Sequence, residues 1–197
     1  MRRTATAPAL LALIGLACSD SSAPELTPGS FNMALVGDVS RSISGSRAEF
    51  GEGAAPGTNL TTWVLELTGG PAGIDGAAFV SPGGQPGNGE FDIVWFEDPG
   101  EIPDDSYGAV VVVNPDGASA GFVGVGRSGT LTITTSSASS MKGSFEFEAE
   151  GLVAFPGGGS ELGVVLVTGE FDALPAPEPA TRLTSRLARL HVGGPPR

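Results

Sequence analysis

From Phe31 onward, apolar and polar positions alternate in short runs, and turn residues separate the runs. In "TTWVLELTG", Trp63, Leu65 and Leu67 fall on one side, and Thr62, Val64 and Glu66 on the other. In "GTLTITTSS", Leu131 and Ile133 oppose Thr130, Thr132 and Thr134. The clearest case is "GSFEFEAEG", where Phe145, Phe147 and Ala149 alternate with Glu146, Glu148 and Glu150. A period of two belongs to a strand with one face in a core and one in water; a helix would scatter these residues around its axis. Burying each such phenylalanine stabilises by about 1.5–3 kcal/mol.

The same reading runs along the chain. "FNMALVGDVSRSISGSRAEF" predicts one or two strands. "FDIVWFED" and "YGAVVVVN" predict one strand each, closed by Asp98-Pro99-Gly100 and Asn114-Pro115-Asp116-Gly117. "SAGFVGVGR" leads into the threonine-rich run, and "GSFEFEAEGLVAF" and "GVVLVTGEFDAL" follow. The glycine-rich stretch 69–91 predicts a loop with a short strand around Ala77 to Val80. "DPGEIPDDSY" reads as an acidic loop and "FPGGGSE" as a hairpin-type connection. Strands spaced at roughly 10–15 residues indicate an all-β fold. The expectation is a mostly antiparallel β-sandwich of about 7–10 strands over residues 31–174, with a closed up-and-down β-barrel as the alternative.

Composition supports this picture. Glycine (31) and proline (16) are frequent, as many turns between short strands require. The net charge is −12 over 197 residues, and only Arg41, Arg47, Arg127 and Lys142 are basic between the leader and the tail. Such a surface repels nucleic acid, which is excluded as a partner.

The ends differ from the middle. Arg2 and Arg3 precede a short apolar stretch, Ala5 to Ala17, too short to span a bilayer. Cys18, the only cysteine, follows directly. With no partner for a disulfide, its thiol is free for other chemistry. Residues 18–30 are polar and read as a flexible tether. At the other end, residues 175–197 begin with Pro175, Pro177 and Pro179. Leu183, Leu187 and Leu190 then recur at helical spacing beside Arg182, Arg186 and Arg189, predicting a disordered tail or a short basic amphipathic helix that binds lipid or the acidic domain.

Catalytic sets are hard to assemble. The single histidine, His191, lies in the tail, so hydrolytic triads and histidine-rich zinc sites are not expected. "GVGRSG" lacks the lysine and serine of a phosphate loop and reads as a β-turn. Glu97, Asp98, Glu101, Asp104 and Asp105 are the candidate calcium ligands, hard oxygens clustered on one loop but interrupted by Pro99 and Pro103. Trp63, Trp95 and Tyr107 are candidates for a sugar-stacking platform, with Trp63 read as a core residue.

Two stretches carry a resemblance. Leu16-Ala17-Cys18 resembles the lipobox of bacterial lipoproteins, with Gly15 departing from the leucine usual there. "GTLTITTSSASSMKGSFEFEAEG" with "VTGEFDAL" resembles the closing strands of a group of uncharacterised bacterial lipoproteins. The resemblance implies cleavage after residue 17, lipidation of Cys18 with palmitate-type chains, and a β-rich extracytoplasmic domain. Ser19, where aspartate marks inner-membrane retention, implies the outer membrane. The expected function is a membrane-anchored, non-enzymatic binding or structural module of the cell envelope, without a cofactor, whose partner is a protein or a glycan. The alternatives are a lipocalin-like small-ligand carrier and a calcium-dependent adhesion module.

Overall fold

The computed structural model describes residues 25–54, 61–70, 73–97, 99–117 and 119–176. The described residues form ten strands: β1 (Ser30–Gly37), β2 (Arg41–Gly45), β3 (Arg47–Ala54), β4 (Thr61–Gly69), β5 (Asp75–Ser81), β6 (Gly89–Val94), β7 (Ser106–Val113), β8 (Gly121–Ser136), β9 (Met141–Ala154) and β10 (Ser160–Pro175). Among the described residues a single 3-10 turn, Pro99–Glu101, is the only helical element.

All ten strands belong to one sheet that closes on itself. Hydrogen-bonded neighbours run β10–β3–β4–β5–β7–β6–β8–β9, and β9 pairs back onto β10 from Ser160–Ala154 to Ala173–Met141. Eight strands thus form a ring, with β1 and β2 continuing from the free edge of β10. Most pairs are antiparallel, but β6–β7 and β10–β3 are parallel, so the ring is not a simple up-and-down meander.

The ring is filled. Phe79 of β5 meets Phe145 and Phe147 of β9, with centroids 5.0 and 5.8 Å apart. These strands are not neighbours in the sheet, so opposite walls touch as the two layers of a sandwich do. Phe31, Leu35, Leu65, Leu67, Phe122, Leu131 and Phe171 complete the same core. The phenylalanine–glutamate alternation of β9 is as expected: Phe145 and Phe147 are buried, and Glu146 and Glu148 exposed.

Three local expectations are corrected. Residues 31–50 form parts of three strands, because Gly37-Asp38 and Gly45-Ser46 turn the chain twice within one alternating run. "GVGRSG" is not a β-turn: it lies inside the 16-residue β8, with a bulge between Gly126 and Ser128 that takes up Arg127. β5 spans Asp75–Ser81, longer than the short strand expected.

β4, β5 and β7 are buried on both faces. Inward, Trp63, Leu65 and Phe79 enter the main core. Outward, Val64 and Val80 are covered by Ile102 and Phe96 of the β6–β7 connection. Two parallel neighbours need a crossover, and this one carries apolar side chains back over the sheet. Gly108 makes room for it: a Cβ there would collide with the Phe96 ring and approach Ile102 Cδ1 at 2.8 Å.

Candidate functional site

The outer face of β6, β8, β9, β10, β1 and β2 stays open, and the strand register lays out its side chains. One row reads Glu90–Thr132–Ser144–Glu170–Asn32–Ser44, and the next reads Asp92–Thr130–Glu146–Thr168–Ala34–Ser42. Apart from Ala34, these are the polar positions of each alternating run, which the pleat turns away from the phenylalanine core.

Three shallow grooves on this face meet at Glu170, and two of them share Thr168 and Gly169 as well. One, of about 470 Å³, lies toward Asn32, Ser42 and Ser44. A second, of about 470 Å³, lies toward Glu90, Thr130, Thr132 and Glu146. The third, of about 380 Å³, reaches Glu25, Leu26, Thr134 and Lys142. Gly169 sits at the junction, where a Cβ would crowd the Phe145 ring and approach Asn32 O at 2.6 Å.

The described residues of this face hold two close ion pairs, the first between Arg127 Nη1 and Glu150 Oε2 at 2.7 Å. Lys142 Nζ lies 2.8 Å from Asp172 Oδ2, with Asp172 buried and Lys142 half-exposed. The hydrogen bond to Asp172, and then its charge, hold the Lys142 ammonium above the ordinary lysine range, with Glu25 adding a little. Elsewhere the face offers hydroxyls, an amide and carboxylates. Chemically it can donate and accept hydrogen bonds across a wide, shallow area, and its glutamates favour a polar or cationic partner.

The residues singled out in the sequence are not brought together here. Glu97, Glu101, Asp104 and Asp105 are exposed on the β6–β7 connection, and Asp98 lies outside the described residues. Among the described residues no group of three or more histidine, cysteine, aspartate or glutamate side chains could hold a metal ion. The aromatic trio is split. Trp63 and Tyr107 pack edge-to-face in the core at 5.7 Å, and Trp95 stands half-exposed on the connection. Burial pushes the Tyr107 hydroxyl well above the ordinary tyrosine range; its hydrogen bond to Ser81 lowers it less, and the Asp105 charge adds to the rise. Cys18 and His191 lie outside the described residues.

Sequence reasoning missed the polar face as a unit. Its threonines and glutamates were visible strand by strand, but the signal lay in cross-strand register, which one chain's periodicity does not contain. No family model, curated protein or solved structure matches this chain. Among the described residues no helix is long and apolar enough to cross a membrane.

Proposed function

We propose that this chain is a lipid-anchored protein of the bacterial cell envelope, at the outer membrane, whose β-domain is a non-enzymatic binding or structural module. The observation that carries the reading is the sole cysteine, Cys18, placed directly after a small residue at the end of a short apolar stretch headed by two arginines. A thiolate readily forms the thioether that such an anchor needs. Several acyl chains at one end hold a protein firmly, because each buried methylene adds about 0.8 kcal/mol.

The open polar face supports the binding half of the reading. It is broad and shallow, which suits lateral contact with a protein or glycan better than enclosure of a small molecule. The filled interior argues against a lipocalin-like carrier, because Phe79 and its partners occupy the centre where a ligand would sit.

Labelled palmitate fed to bacteria expressing the full chain tests the anchor. The native protein is expected to carry the label and sediment with membranes, and Cys18→Ala to lose both. An unlabelled native protein in the soluble fraction would overturn the proposal.

A further inference from the structure

The outer surface of the sheet changes character along β10. Thr168 and Glu170 belong to the polar rows, but the run before them, Leu162 to Val167, holds no polar side chain. Val165 and Val167 are buried in the core, whereas Leu162, Val164 and Leu166 face outward and are exposed. Val36 of β1 stands beside Leu166, and Leu152 of β9 beside Leu162; both are exposed as well. A strand run that is apolar on both sides belongs to a sheet covered on both faces. Here, among the described residues, only the inner face is covered. The five side chains form one strip about 13 Å long and three strands wide. Leu162 is 74% and Val36 61% exposed, and the strip presents about 450 Å² of apolar surface in all. Single apolar residues are ordinary on a surface, but a contiguous patch of this size marks an interaction site.

Strand addition is blocked at the middle of the strip. β1 leaves β10 after Gly37, and Asp38 takes the next place. Its N donates to Val164 O at 3.2 Å, and its Oδ2 accepts from Val164 N at 2.8 Å. A charged side chain on these backbone groups protects the edge from further pairing. The face of the strip is left for contact.

We infer that two copies of the chain pack face to face through this strip, about a two-fold axis near Val164. Area and charge both select a second copy. Two strips together bury about 900 Å² of apolar surface, and their polar margins bring the total above about 1,000 Å², where specific interfaces begin. The margin carries both signs. On β9, Glu148 stands opposite Leu166 and Glu150 opposite Val164. Arg127, turned out at the β8 bulge and half-exposed, lies 2.7 Å from Glu150. A two-fold contact brings one residue to a second on the other copy, and the second to the first. Arg127 of each copy thereby gains Glu148 of the partner subunit as a counter-charge. A lipid surface fits worse, because anionic headgroups would meet Glu148 and Glu150.

Two differently tagged full-length copies, co-expressed in bacteria with a photo-crosslinking amino acid in place of Val164, test the inference. The readout is the same whether or not Cys18 carries lipid. The expected product is a covalent dimer bearing both tags. The same amino acid in place of Thr132, on the polar rows, is expected to give about tenfold less. No dimer, a link to lipid, or a link only to a different protein would overturn the inference. Leu162→Glu with Leu166→Glu, both at exposed outward positions, is expected to lower the dimer yield about tenfold or more at an unchanged melting temperature. An undiminished yield would overturn it as well. Arg127→Glu is expected to weaken the dimer, and Arg127→Glu with Glu148→Arg to restore it. Failure of that restoration would overturn the ionic contact.

Discussion

At the residue scale, the molecule depends on a few aromatic side chains that join opposite walls of the ring. Phe79 is fully buried and touches two phenylalanines of β9. Phe79→Ala should lower unfolding stability by about 3–5 kcal/mol, the transfer loss plus the cavity left between the walls. Denaturant titration measures this, and a loss below about 1 kcal/mol would contradict the packing. Tyr107, the only tyrosine, gives a second test. Its folded pKa is raised above the unfolded value, chiefly by burial. The neutral hydroxyl therefore contributes stability that is whole below the ordinary value of 10 and is lost as pH rises above it. Absorbance of tyrosinate should rise only together with unfolding, well above pH 10. A smooth titration near pH 10 with the fold intact would contradict the burial. These residues were legible in the sequence because alternation marks a core side directly. Which wall each would face was not, because that depends on the ring's closure.

At the element scale, the instructive strands are those with two buried faces. The alternation of Trp63, Leu65 and Leu67 on β4 was plain, and the structure keeps it. The burial of Val64 on the opposite side was not legible, because it comes from Phe96 and Ile102, which are remote in sequence. The acidic loop shows the same limit. Its carboxylates caught attention, whereas Phe96 and Ile102 are the side chains that pack on the sheet. Gly108→Val should displace this connection, since its side chain would occupy the space of the Phe96 ring. A loss of about 1–3 kcal/mol is expected, as for overpacking generally. Limited proteolysis should then cut between Trp95 and Asp105 faster than in the native protein. Equal cutting rates would show that the connection is not held by this contact. The bulge at Arg127 was hidden for a related reason: glycines on both sides resemble a turn, and only pairing with β9 reveals one continuous strand.

At the scale of the whole molecule, charge and shape divide the labour between surfaces. The acidic, hydroxyl-rich rows of the open face fit a partner met side-on. The apolar side chains exposed on β1, β9 and β10 — Val36, Leu152, Leu162, Val164 and Leu166 — lie on the same outer surface, further along those strands. The site was less legible than the fold, because no motif with a fixed spacing marks it, and its residues come from six strands. The proposed anchor rests on a local, contiguous signal, Leu16-Ala17-Cys18, which lies outside the described residues.

The proposed anchor is tested most directly by the intact mass of the mature protein purified from bacterial membranes. A lipid anchor on Cys18 requires the mass of residues 18–197 plus a diacylglycerol and an amide-linked acyl chain, and loss of that adduct in Cys18→Ala. A mass with a free cysteine, or with cleavage at another position, would contradict it and make the domain a soluble secreted protein.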